Sequence, residues 1–183
     1  MKDALLVVGS GRLRERRGTD DRELTLTYAG PGDLVGEASF LGGTPTLDFV
    51  GVESGEGARV LASVVRDVMR SAPDLAIAFA ARIERRRQNV EERLHALLTR
   101  TVEHRVLSFI AEAAVREGIP TPEGVRLAVR YTHLEIARYV GSTRETVTLV
   151  LGELRRKGLV AIQQRWLIVP DVGRLEATLD AGG

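Results

Sequence analysis

The chain has 183 residues, 44% of them hydrophobic, with 26 Lys and Arg against 25 Asp and Glu and a formal net charge of +1. That hydrophobic share supports packed cores and excludes intrinsic disorder, and the length allows two small domains, but the balanced charge gives no chain-wide argument for a polyanionic partner. The absence of cysteine excludes disulfides, thiolate zinc sites and cysteine-ligated iron–sulfur clusters. No apolar run is long enough to span a membrane, and MKDALLVVGSGR is interrupted too soon for a signal peptide, so a cytoplasmic protein without a membrane partner is expected.

Residues 1–65 read as strands: ALLVV, GRLRERR, ELTLTYA, DFVGV and RVLASVV, separated by turns such as GTDD and GPGD. The unit is all-β and thin for a closed barrel. From Pro73 the pattern changes to a long helix, with proline at its start and Asp74 in its first turn. Ala76, Phe79, Ile83, Arg87, Val90, Leu94, Leu97 and Thr101 recur at intervals of three and four, close to a heptad seam. The charged segment ERRRQNVEER flanks that seam, and a narrow stripe favours pairing with a second copy over burial in a broad core. A parallel homodimer is expected, with Phe79, Ile83, Val90, Leu94 and Leu97 at its interface. A helix over Val102 to Arg116, the loop EGIPTPEG and a strand over Val125 to Arg130 follow.

Next comes HLEIARYVGSTRETVTLVLGELRRKG. Thr132 stands three before Glu135 and Ser142 three before Glu145, which predicts two capping boxes and hence two helix starts ten residues apart. Gly141 between them can take a positive φ and turn the chain sharply, the spacing of a helix-turn-helix. Ile136, Ala137 and Val140 on the first helix and Val147, Val150, Leu151 and Leu154 on the second fall where crossed helices touch. The opposite side of the second helix carries Arg144, Glu145, Thr148 and Leu149, free to meet bases: an arginine fork can donate to guanine O6 and N7, and a carboxylate can accept from cytosine N4. Between Arg126 and Arg165, eight cations face three glutamates, so positive charge is concentrated here. Gly158 ends the second helix, LVAIQQRWLIV reads as a hairpin, and together these elements predict a winged helix, closed by a short RLEATL helix.

THLEIARYVGSTRETVTLVLGELRRKGLV closely resembles the helix-turn-helix of the cyclic-AMP receptor protein/Fnr family of bacterial transcription regulators. The likeness extends to LLVVGSGRLRERR and TLTYAGPGDLVGEASFLGG, which look like the family's sensor barrel, and to residues 74–101, which look like its dimer helix. The resemblance implies that Arg144 and Glu145 read bases while Thr132, His133, Ser142 and Thr143 meet backbone phosphates. It also implies half-sites like TGTGA, and RNA polymerase contact from the loop Gly118 to Gly124 through Thr121 and Glu123. Leu149 stands where the family commonly has a second arginine. In the sensor, Gly36 and Glu37 match the family's cassette, but Leu47 and Asp48 replace its phosphate-holding Arg-Ser, and Val90 and Glu91 replace the hydroxyls that meet adenine. The family's first two strands have no counterpart after Met1. Cyclic AMP is therefore not expected as effector; Glu37, Asp48 and Arg87 are the candidates for meeting a different ligand.

The expected fold is α+β: a truncated cyclic-nucleotide-binding-like β-roll over residues 1–72, a dimerisation helix over 73–101 and a winged helix-turn-helix over 102–183. The expected function is a homodimeric activator that binds an inverted repeat in double-stranded DNA and recruits RNA polymerase, with no cofactor, metal or catalytic residue. The alternatives are a repressor, a regulator responding to an unidentified small molecule, or a sensor module whose winged helix mainly contacts protein. An enzyme is disfavoured, since no P-loop, HExxH or GxSxG occurs and GSGRLR is a lone glycine-rich turn.

Overall fold

The computed structural model describes residues 3–19, 23–43 and 48–181. The chain divides into two compact units, Met1–Glu91 and Glu92–Gly183.

The first unit contains strands β1 (Ala4–Val8), β2 (Arg12–Arg17), β3 (Leu24–Ala29) and β4 (Leu34–Val35), a short helix α1 (Glu37–Phe40), strands β5 (Asp48–Glu53) and β6 (Gly57–Leu61), and helix α2 (Ala62–Ser71). The strands form two antiparallel three-stranded sheets, ordered β4-β1-β6 and β3-β2-β5. Two small apolar clusters hold them: Leu5, Phe40 and Ala62 with Leu34, Val65, Met69 and Phe79, and Val8, Ala29 and Val35 with Leu6, Leu13 and Phe49. The segment RVLASVV, expected as one strand, changes structure midway. Pairing with β1 ends at Ala4 opposite Leu61, the Ala62 amide donates to the Asp3 carbonyl, and α2 begins. From there Val65 and Met69, four apart, turn inward while Ser63, Arg66 and Arg70 stay exposed, a helical period that two valines in a row disguise as a strand.

Helix α3 spans Pro73–Thr99. Its expected pairing seam is only partly free. Phe79 packs edge-on against Phe40 with ring centroids 5.1 Å apart, so it serves the core of its own unit. Ile83 is half-buried, whereas Val90, Leu94 and Leu98 are 47%, 55% and 78% exposed. The outward stripe therefore passes through Leu98 rather than Leu97.

In the second unit, α4 (Val102–Glu117) is capped by Thr101, whose hydroxyl accepts from the His104 amide at 3.2 Å. Val106, Leu107, Phe109, Ile110, Ala113 and Ala114 form its buried face. Strands β7 (Gly118–Thr121) and β8 (Gly124–Leu127) follow, then α5 (His133–Val140), α6 (Arg144–Arg156), β9 (Ala161–Gln163), β10 (Trp166–Val169) and α7 (Val172–Ala181). The four strands make one antiparallel sheet ordered β7-β8-β10-β9. The stretch expected as a loop from Gly118 to Gly124 is thus a tight hairpin, with Thr121 paired to Gly124, and the strand expected to reach Arg130 ends at Leu127. Two prolines obscured the pairing: Pro120 is tolerated because β7 is an edge strand, and Pro122 lies in the turn.

Candidate nucleic-acid interface

The start of α5 is fixed by a reciprocal capping box. The Thr132 hydroxyl accepts from the Glu135 amide at 3.2 Å, and the Glu135 carboxylate accepts from the Thr132 amide at 2.7 Å. At its end Gly141 adopts φ 65°, ψ 54°, and both its amide and that of Ser142 donate back to the Ala137 carbonyl. Ser142 is therefore part of the C-terminal turn of α5 and does not cap α6. The expected box between Ser142 and Glu145 is replaced by Thr143, which is extended and accepts from the Thr146 amide at 3.2 Å.

Two arginines satisfy the carbonyls that α5 leaves open. Arg105 donates to Val140 at 2.8 Å and, more weakly, to Gly141 at 3.4 Å, while also donating to Arg100 at 2.7 Å. Arg93 donates to the Tyr139 carbonyl at 2.6 Å and lies 3.9 Å from the centre of that residue's ring. A cation at a helix C-terminus also meets the negative end of its dipole. Burial pushes the Tyr139 hydroxyl up from its usual pKa, and a nearby Glu112 carboxylate adds to the shift.

Ile136, Ala137 and Val140 of α5 and Val147, Leu151 and Leu154 of α6 are buried, and Val150 is half-buried. Packing these faces leaves Arg144, Glu145, Thr148 and Leu149 exposed together on α6, with Leu149 71% exposed. Thr132 and Thr143 are exposed, and Ser142 and His133 half-buried. His133 reaches across to α6, where its Nδ1 lies 2.7 Å from the Thr148 hydroxyl. Beyond the helix pair, Gln164 and Arg165 turn the β9–β10 hairpin with φ of 48° and 69°. The guanidinium groups of Arg126 and Arg130 lie 4.1 and 4.5 Å from the ring centre of Trp166. Sequence reasoning counted these cations but missed the stack; the chain's single tryptophan beside a basic strand was the available signal.

Residues 92–178 match the Crp-like helix-turn-helix domain. Over 175 residues the chain is 31% identical to the cyclic AMP receptor protein of Thermus thermophilus, covering 94% of this chain and 78% of that one. The chain belongs to the Crp/Fnr family. Members are DNA-binding transcription regulators rather than enzymes, and are typically dimers; this member carries the family's helix-turn-helix domain. A 30% match over 105 residues to the global nitrogen regulator of Synechocystis covers 47% of that relative's length. The structure of FixK2 from Bradyrhizobium japonicum has the same fold, with a TM-score of 0.82 at 22% identity over 96% of this chain and 86% of that one.

In the first unit, the Gly36–Glu37 stretch is engaged by arginines of α3. Gly36 takes φ 98° and lets α1 begin at Glu37. Arg82 and Arg86, from α3, approach the Glu37 carboxylate to 3.7 and 3.5 Å. Arg82 also donates to Asp33 at 3.2 Å and to the Leu34 carbonyl at 2.7 Å, and Arg86 pairs with Glu15. Burial raises the Glu15 carboxyl above the usual carboxylate range despite the lowering effect of Arg86. Asp48 is exposed and 4.0 Å from Arg16, and Leu47 lies outside the described residues. Arg87 pairs with Glu84 and Glu91 on its own helix. Among the described residues no group of three or more His, Asp or Glu side chains is placed to hold a metal, and no helix is long and apolar enough to cross a membrane.

Proposed function

We propose that this Crp/Fnr regulator acts as a homodimeric activator that binds an inverted repeat of TGTGA-like half-sites without cyclic AMP and recruits RNA polymerase. The observation that carries the DNA-reading part is the exposed set Arg144, Glu145, Thr148 and Leu149 on one side of α6, whose other side packs through Val147, Leu151 and Leu154. Arg144 donates to guanine, Glu145 accepts from cytosine, and Leu149 touches a thymine methyl. Thr132, His133, Ser142 and Thr143, at the starts of α5 and α6, meet phosphates that fix the register. Val90, Leu94 and Leu98 pair with a second copy and Ile83 flanks them; the domain roles remain sensor, dimer helix and winged helix along the chain.

Independence from cyclic AMP is supported by the engagement of Glu37 with Arg82 and Arg86, together with the carboxylate of Asp48 where an anion would need donors. Polymerase contact is assigned to the β7–β8 hairpin, whose turn carries Glu123 on the surface beside Thr121. The deciding experiment for base reading compares Arg144→Ala with the parent chain on a TGTGA inverted-repeat duplex and on a mixed-sequence duplex. The loss of about 1 to 3 kcal/mol falls on the first duplex alone; an equal loss on both refutes the assignment.

A ligand-responsive regulator is the second reading. It is favoured by an open cavity of about 300 Å³ in the first unit, lined by Leu6, Val8 and Leu13 with Ser10, Arg12 and Glu53 among its polar walls.

A further inference from the structure

We propose that Thr148 fixes the ring proton of His133 on Nδ1, so that the phosphate contact of His133 forms only when Nε2 takes up a second proton. The proposal rests on the DNA-binding reading above and adds to it a positioning residue and a proton linkage. The Thr148 hydroxyl donates to the Arg144 backbone carbonyl at 2.9 Å, and a carbonyl can only accept. Its single hydrogen is thereby used, so in the 2.7 Å contact with His133 the hydroxyl oxygen accepts and Nδ1 donates. A neutral ring held in this way carries a bare lone pair on Nε2. Turned toward a phosphate oxygen, that lone pair repels; protonated, it donates a charge-assisted hydrogen bond. A neutral ring in this arrangement has no Nε2 hydrogen to donate to a phosphate.

On α6, Arg144 and Glu145 stand one turn before Thr148 and oppose each other in sign. On α5, the Glu135 carboxylate is held by the Thr132 amide and hydroxyl. On α4 and α3, which also meet α5, Glu112 accepts from Tyr139 and Arg93 donates to its carbonyl, both at the far end of α5. The phosphate itself supplies the charge that favours the imidazolium, so each subunit takes up a proton on binding and affinity falls as pH rises.

Two measurements on the full-length chain test this. Long-range proton–nitrogen NMR reads which ring nitrogen of the neutral form holds the hydrogen: Nδ1 in the parent chain and in Thr148→Ser, with the other tautomer gaining population in Thr148→Val. An Nε2-protonated neutral ring in the parent overturns the proposal. Binding to the TGTGA inverted-repeat duplex is then followed at constant salt between about pH 6 and 8. The expected weakening is up to about tenfold per pH unit for each subunit, lost in His133→Gln, reduced in Thr148→Val and retained in Thr148→Ser. Tight binding that ignores pH, or a pH slope that His133→Gln leaves in place, refutes the proton linkage while leaving DNA binding standing. Failure to bind this duplex and a mixed-sequence duplex at every pH refutes both.

Discussion

Leu97 of the long helix presses on Gly141 in the turn between the two motif helices: a Cβ built on the glycine falls 2.6 Å from Leu97 Cδ2. Gly141 is also in the left-handed region, where an L side chain is strained by about 1 to 2 kcal/mol. Gly141→Ala therefore faces two penalties, and relieving the clash moves either Leu97 or the turn that aims α6. The variant should unfold at lower denaturant concentration than the parent and bind its operator more weakly even where it remains folded. Unchanged stability in a denaturant titration would show that the turn accommodates a methyl group.

Glu15 gives a pH test of the buried ion cluster. Its folded carboxyl titrates above the ordinary carboxylate range because burial outweighs Arg86. Its contribution to stability is therefore complete below the unfolded pKa and is lost as pH rises through the raised folded value. Glu15→Gln removes that titration, so the stability of the parent relative to the variant should fall from about pH 4 upward. Denaturant melts at several pH values read the difference, and a relative stability that grows with pH would mean that the ion pair with Arg86 prevails over burial.

The exposed stripe Val90, Leu94 and Leu98 is assigned to dimerisation. Leu94→Glu sets two carboxylates against each other at a two-fold axis, where desolvation and repulsion both oppose pairing. Sedimentation should show a monomer, and operator affinity should drop because the second half-site no longer acts at high effective concentration. A variant that stays dimeric moves the interface away from this stripe.

Transcription in a purified system separates activation from binding. The chain should activate a defined template without cyclic AMP, and the nucleotide should change neither transcript level nor melting temperature, because a ligand shifts an equilibrium only by its differential affinity for the two states. Changing Thr121 and Glu123 together should lower transcription at constant operator affinity. Full activity in that double variant would remove the β7–β8 hairpin from the polymerase contact.

The winged helix was legible because its signals are local. The Thr132 and Glu135 pair, Gly141 and the apolar spacing of α5 and α6 each act within two turns, and each has its expected counterpart in the structure. Ser142 misled because the same S-x-x-E pattern fits a residue still donating backwards to Ala137; the difference is one residue of backbone conformation. The first unit was less legible for a different reason. RLRERR reads as a strand and ERRRQ as the flank of a seam, with no sign in sequence of their partners, yet Arg14 pairs with the buried Glu23, and Arg86 with Glu15, across 9 and 71 residues of chain. Pairing at such separations leaves no periodic trace, so neither the buried acids nor the occupation of Glu37 could be read in advance. Phe79 kept its place in a heptad pattern while serving Phe40, since a three-four spacing marks an apolar face and not the partner that covers it.

Selection of binding sites from random duplexes, followed by sequencing, tests the central claim most directly. A two-fold dimer presenting one α6 per subunit should enrich an inverted repeat, with half-site centres about one helical turn apart and a G·C pair in each half-site whose enrichment disappears with Arg144→Ala. Recovery of sequences without two-fold symmetry, or of the same motif from the parent and the Arg144→Ala chain, would contradict the assignment of the α6 face as the reader of DNA sequence.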